Sequence, residues 1–321
     1  MKKIRFSALA LLLLISSVFL LGGCEGPAYD QEPVTLRIGV LPILDILPLY
    51  VAEAEGYFTQ QGVQVELVPI SSAAERDQLM QAGQIDGIIN DLVSIVLYNK
   101  ETPQVTVVRY AMQSTADYPQ FRILAAPHAG LYHPDDLRGI TLGVSEGTVI
   151  QYVTERLLAA EGIAPQDFDQ IAIPKISDRM ALLESGELQA ATLPEPLGSL
   201  ALQKGATVIL EDSAYPEYSC SVMAFRKELV LTHPEAVRGF LAAIDEAIRA
   251  INADKSRWST LLIEKELLPQ PLIGNYALPD YPTAAVPSEA QFADVLAWAQ
   301  EKGLITGDLA YTDSITPAFL P

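Results

Sequence analysis

Apolar residues recur along the chain in two rhythms, short runs of period two and longer stretches at three-and-four spacing. Residues 34–40 (VTLRIGV) form a β-rich run, followed by a loop with Pro42 and Pro48. A helical turn or two over 49–54 then closes at Gly56. Residues 63–68 alternate as a strand, and Ser72-x-x-Glu75 has the form of a capping box opening a helix to Gln81. An apolar run at 85–89, a helical pattern at 91–99 and a strand at 105–110 complete the series. Strands separated by helices of this length predict right-handed βαβ units and a parallel sheet.

After Tyr110 the pattern changes. Residues 112–120 are polar and loop-like, and 121–125 start a second α/β series. Its strands are expected at 140–144, 170–173, 190–193 and 207–210, and its helices at 148–160, 178–184 and 197–203. The series ends in 211–219, which holds Pro216 and few apolar residues. The C-terminal third is mostly helical. Val237, Phe240, Leu241, Ile244, Ile248 and Ile251 fall on one face of a helix that starts near Thr232 and Pro234. Phe292, Val295, Leu296 and Ala299 mark a last helix, stopped by Gly303.

Charge divides the chain unevenly. The 321 residues hold 40 Asp+Glu against 21 Lys+Arg, a net charge of -19. Three of the basic residues, Lys2, Lys3 and Arg5, precede an apolar run at 6–21 broken only by Ser7, Ser16 and Ser17. A basic flank, an apolar stretch and small residues before a cut are the parts of an export signal. The run falls short of the roughly 20 residues that span a bilayer. Leu21-Gly22-Gly23-Cys24 resembles the bacterial lipoprotein box, which implies a leader over 1–23 and a lipidated Cys24 as mature N-terminus. Residues 24–33, broken by Gly26, Pro27 and Pro33, read as a tether. The remaining surplus of carboxylates argues against nucleic acid, whose phosphates need clustered Lys and Arg. Cys220 is the only other cysteine. With Cys24 lipidated no intrachain disulfide can form, and Cys220 reads as a buried, inert thiol.

Three fragments in order point to a family. They are Arg37-Ile38-Gly39-Val40 with Pro48-Leu49-Tyr50 and Glu55-Gly56-Tyr57-Phe58; Leu79-x-x-x-Gly83-x-Ile85-Asp86-Gly87; and 136–144 (DLRGITLGV) with Glu146-Gly147-Thr148. With the lipobox, the chain over roughly 34–310 resembles the extracytoplasmic substrate-binding proteins of ABC importers. Within these it is similar to the thiamine-pyrimidine-synthase-like branch, whose members bind sulfonates, nitrate, thiamine precursors and riboflavin. The resemblance implies a two-lobed α/β, type II periplasmic-binding-protein fold with a hinge and an interlobe ligand cleft. Lobe one would comprise 34–120 and 220–321, and lobe two 121–219. It also implies a monomer on the extracytoplasmic face of the membrane, with a small-molecule ligand and an ABC permease as partners.

In open α/β sheets ligands bind beyond the carboxyl ends of the strands, where helix N-termini offer unpaired N–H groups. Asp45, the one charged residue in an apolar loop, reads as a ligand acceptor or a loop cap. Ser72 reads as an N-cap, leaving Ser71 to face the cleft. Asn90 and Asp91 follow the third strand and read as cap, ligand or both. Tyr110, with Gln113 and Ser114 beyond it, ends the fourth. In lobe two Ser145 and Thr148 supply hydroxyls around Gly147, Tyr152 an aromatic wall or interlobe packing, and Glu195 a carboxylate fixed between Pro194 and Pro196.

This set is poor in Lys and Arg and fits a largely neutral, ring-bearing ligand. That favours riboflavin first and the thiamine pyrimidine unit second, with an aliphatic sulfonate or nitrate as the alternative. Related pyrimidine-forming enzymes carry a cysteine cluster and catalytic His and Lys, which this chain lacks. His128, His133 and His233 are scattered beside prolines, and no His/Cys spacing suggests zinc. No catalytic residue, metal or cofactor is expected.

Overall fold

The computed structural model describes residues 34–321; the expected leader, the lipidated Cys24 and the tether lie outside the described residues. Strands β1 (Thr35–Val40), β2 (Gln64–Pro69), β3 (Gly87–Asp91) and β4 (Val105–Gln113) enter a first sheet. The chain then leaves it to form a second sheet from β5 (Phe121–Ala125), β6 (Thr141–Val144), β7 (Asp169–Ala172), β8 (Ala190–Pro194) and β9 (Thr207–Glu211). It returns to the first as β10 (Cys220–Arg226). The orders are β2-β1-β3-β10-β4 and β7-β6-β8-β5-β9, two sheets of one plan. This is the two-lobed α/β fold.

The expected parallel sheet is corrected to two mixed ones. In each, the strand that arrives from the other sheet runs antiparallel to both neighbours: β10 to β3 and β4, and β5 to β8 and β9. A helical crossover returns the chain to the same end of a sheet and forces parallel pairing. β5 and β10 come instead from the other sheet, free of that constraint. The 220–226 segment carried no strand in the sequence reading, and β4 runs three residues beyond its expected end.

Helices cover the sheets where the apolar spacing put them. They are α1 (Leu47–Ala54), α2 (Ala73–Gln81), α3 (Leu92–Asn99), α4 (Val149–Ala160), α5 (Ile176–Ser185), α6 (Leu197–Gln203), α7 (Pro234–Ala253) and α8 (Glu289–Glu301). The face of α7 read from sequence, Val237 to Ile251, is buried throughout and packs over α1. Ser72 caps α2 by accepting from the Glu75 N–H, and Thr148 caps α4 through Ile150. Gly39 in β1 lets Ile70 and Ile85 close over the strand, since a Cβ there would meet Ile85 Cδ1 at 2.8 Å.

Two of the family-like fragments prove to be joints. Asp86 accepts from the Arg37 backbone N–H at 3.0 Å and from both arms of its guanidinium at 2.8 and 2.9 Å, tying β1 to the turn before β3. Arg138 bonds Asp135, Asp167 and the Gly162 carbonyl, closing the loops at the base of β6.

α8 joins elements of both sheets. It packs on α3, while Tyr152 and Arg156 of α4 donate to Asp294 at 2.7 and 2.8 Å. The fully buried Trp298 donates to Glu155 at 2.8 Å and meets the Tyr152 ring edge-on at 5.5 Å.

Candidate functional site

A cavity of about 220 Å³ lies where the carboxyl ends of β1, β3 and β8 meet the start of α4. Its first wall comes from the loop after β1, the end of β3 and the start of β10. Asp45 stands in a helical turn at Leu44–Ile46 and takes the Ser221 hydroxyl as donor. Burial pushes its carboxyl above the ordinary carboxylate range, and the Ser221 bond works against that shift.

Asn90, 5% exposed, accepts the Asp91 N–H at 3.0 Å with its Oδ1, which leaves Nδ2 buried without a partner among the described residues. Asp91 caps α3 through the N–H and hydroxyl of Ser94, at 2.9 and 3.0 Å. Arg76 of α2 reaches the same wall. Its Nε bonds Asp77 at 3.0 Å, and its two Nη atoms have no hydrogen-bond partner among the described residues.

The second wall comes from the crossing segment after β4 and from the second sheet. Gln120 is buried, and its Oε1 has no partner among the described residues. Glu195 pairs with Arg122 through one oxygen and accepts from Tyr276 through the other at 2.9 Å. The Tyr276 and Tyr118 hydroxyls lie 2.6 Å apart. Leu41, Ile43, Ile89, Phe121, Ile150 and Ile176 make the rest largely apolar. Behind it, the fully buried Asp212 accepts from Ser114 Oγ and from the N–H groups of Gln120 and Phe121, at 3.1, 2.9 and 3.1 Å. It thereby stitches together the two segments that cross between the sheets.

Of the residues selected from sequence, Asp45, Asn90, Asp91 and Glu195 line this cavity. The others lie outside its lining. Ser71 is exposed and gives its N–H and hydroxyl to Glu75, whose capping-box carboxylate reaches back to it rather than to Ser72. Tyr110 is buried against Gln291, its hydroxyl 2.7 Å from Oε1. Thr148 is spent on its cap and on the Ser145 carbonyl at 2.6 Å, and Ser145 is buried beside it rather than on the cavity wall. Tyr152 is turned toward α8 by Asp294. Gln113 lines a separate groove, described below.

Arg76 makes the wall less cation-poor than expected, and Tyr118, Gln120 and Ser221 also join it unforeseen. Arg76 lies on a helix face rather than at a strand end, and the other three belong to the crossing segment and the unforeseen β10. Cys220 also borders the cavity, and burial raises its thiol far from the reactive range.

The arrangement offers both donors and acceptors in an apolar enclosure. Two Arg and four carboxylates line or back it, with Arg122 already paired to Glu195. Among the described residues no group of three or more His, Cys, Asp or Glu is placed to hold a metal ion, and no helix is long and apolar enough to cross a membrane.

Solved structures share this fold at low identity. The periplasmic aliphatic sulphonate binding protein SsuA from Escherichia coli is 17% identical, covering 87% of this chain and 96% of its own, with a TM-score of 0.74. The periplasmic nitrate-binding protein NrtA from Synechocystis PCC 6803 is 16% identical, with coverage of 90% and 87% and a TM-score of 0.70. The desulfurization enzyme DSZB is 13% identical, with coverage of 89% and 97% and a TM-score of 0.66. No curated protein matches the sequence. A family model, the NMT1-like family, matches residues 29–261. With most of its length under that model and the two-lobed fold around an interlobe cavity, the chain belongs to the NMT1-like family.

Proposed function

We propose that this protein is the substrate-binding component of an ABC importer, which captures a small ring-bearing vitamin or precursor and delivers it to a membrane permease. Lobe one (34–120 and 220–321) and lobe two (121–219) close on the ligand by hinge motion about the crossing segments. Only the closed state contacts the ligand from both lobes, so binding energy selects it. The protein acts as a monomer held on the extracytoplasmic face by lipid on Cys24. Growth on labelled palmitate would label the wild type and leave Cys24→Ser unlabelled.

One observation carries the ligand class. The cavity residues Asn90 and Gln120 hold a buried free donor and a buried free acceptor within apolar walls. Unpaired buried polar groups are costly, and a ligand with both an acceptor and an N–H or O–H donor satisfies both. Nitrate and simple alkanesulfonates have acceptors only. The volume, below the roughly 300–1,000 Å³ usual for drug-sized ligands, favours the single-ring thiamine pyrimidine over riboflavin and so reverses the order expected from sequence. A binding rather than catalytic role suits a wall whose only thiol is held protonated.

Arg76 favours the second reading, an aliphatic sulfonate or nitrate, since its free Nη atoms suit an anion. Thermal melting with a panel of aminopyrimidines, riboflavin, taurine, alkanesulfonates and nitrate separates the two. The ring reading expects a rise in Tm with the heterocycles, and a rise with sulfonates alone overturns it. Turnover of a bound compound would revive an enzymatic role.

A further inference from the structure

Three residues singled out in the sequence, Tyr110, Gln113 and Tyr152, converge away from the cavity. They meet at a groove of about 630 Å³ between the two crossing segments, α4 and the start of α8. Gln113 and Tyr152 line it, and Tyr110 bonds its Gln291. Between groove and cavity lies a neck of about 10 Å³, about the room one water needs. The neck shares Val149 and Cys220 with the cavity, and Tyr152, Glu217, Tyr218 and Gln291 with the groove. The three spaces are therefore neighbours, walled in part by the same residues.

We propose that the groove is a second subsite for the same ligand, taking a neutral, hydroxyl-rich chain attached to the ring held in the cavity. This rests on the ring-ligand reading above and deepens it.

The lining selects that chemistry. The Gln113 amide, the Tyr218 hydroxyl and the Glu217 carboxylate line the groove, and none has a side-chain hydrogen-bond partner among the described residues. Amide and hydroxyl groups donate and accept, as alcohol groups do. An anion would face Glu217 and Asp294 with no Lys or Arg among the lining residues. Arg156 lies 5.6 Å from the Tyr152 ring centroid and bonds Asp294 at 2.8 Å, which leaves Glu217, among the described residues, as the one lining carboxylate free to accept from an alcohol group. The Tyr152 and Tyr218 rings, edge-on at 6.5 Å, supply apolar faces for the carbon backbone of such a chain. The second crossing segment forms part of the neck through Glu217 and Tyr218, so hinge motion sets its width.

The test compares rings with and without a hydroxylated chain, riboflavin against lumichrome and cytidine against cytosine, on the full chain. The chain-bearing member of at least one pair should bind about tenfold more tightly, the effect of one or two hydrogen bonds. Gln113→Ala should remove that advantage and leave the ring-only affinity unchanged. Glu217→Gln, at an exposed position, should reduce the advantage without disturbing the fold. Equal affinities within both pairs, or equal losses for both members in Gln113→Ala, would sink the subsite while leaving the ring reading standing. Binding of sulfonates with none of the four heterocycles would overturn both.

Discussion

The hydroxyl of Ser221 donates to the carboxylate of Asp45 across 176 residues of sequence, joining the first turn after β1 to the strand that returns from the second sheet. Burial raises the Asp45 pKa, and Ser221 is the one side chain that opposes the shift. A folded-state pKa above the ordinary 3.8 means that the titration of Asp45 favours the fold in acid, a contribution lost as pH rises. Ser221→Ala removes the donor and leaves the buried charge less satisfied. The variant should lose about 1–3 kcal/mol at pH 7 and recover part of it at pH 5, measured by urea unfolding. A deficit that grows on acidification would contradict this account.

Asp212 gives a second pH signature. Its carboxyl is pushed up to about 6, chiefly by burial, against hydrogen bonds from Phe121, Ser114 and Gln120. The folded state therefore binds the proton more tightly than the unfolded chain. The resulting stabilisation is fully present below 3.8 and is lost as pH rises through about 6. Relative to Asp212→Asn, wild-type stability should fall between pH 4 and 7 by on the order of 3 kcal/mol at most. Parallel pH curves for the two proteins would show that the carboxyl does not titrate in this window.

Asn90→Leu tests the cavity donor. The substitution removes an unpaired Nδ2 and a bond to the Asp91 N–H, effects of opposite sign, so ligand-free stability should change by about 1 kcal/mol or less. Affinity for the panel compound that gives the largest Tm rise should fall about tenfold or more. Calorimetric titration reads this directly, and unchanged affinity would remove Asn90 from the site.

The α8 joint should be structural at any ligand concentration. Trp298→Ala opens a cavity and strips Glu155 of a donor, for a loss of about 3–5 kcal/mol. Trp298→Phe keeps most of the volume and should lose about 1–3 kcal/mol, the cost of the missing N–H. Chemical denaturation of the two variants separates the packing and hydrogen-bond contributions.

The sequence by itself determined what acts over a few residues. The periods of two and three-to-four placed nearly every strand and helix, because each element must turn one apolar face inward. Ser72 was legible as a cap because a cap bonds a backbone N–H two or three positions ahead; Thr148, read as a ligand hydroxyl, proved to be one as well. The place of Asp45, Asn90, Asp91 and Glu195 beside the cavity was legible because each stands at or just beyond the carboxyl end of a strand that the sheet plan turns toward it.

Tertiary structure alone decided the rest. Strand β10 has no crossover helix of its own to announce it, and its antiparallel direction follows from where the chain re-enters the sheet. Ser221 reaches Asp45, and Gln120 reaches the cavity, only through that return. Tyr152 has the spacing of a cleft residue, yet Asp294 and Trp298, more than a hundred residues later, turn it toward α8. Local hydrogen bonding and periodicity fix which residues form an element. Which of its side chains meet a ligand depends on pairings between distant segments, and no short window of sequence contains both partners.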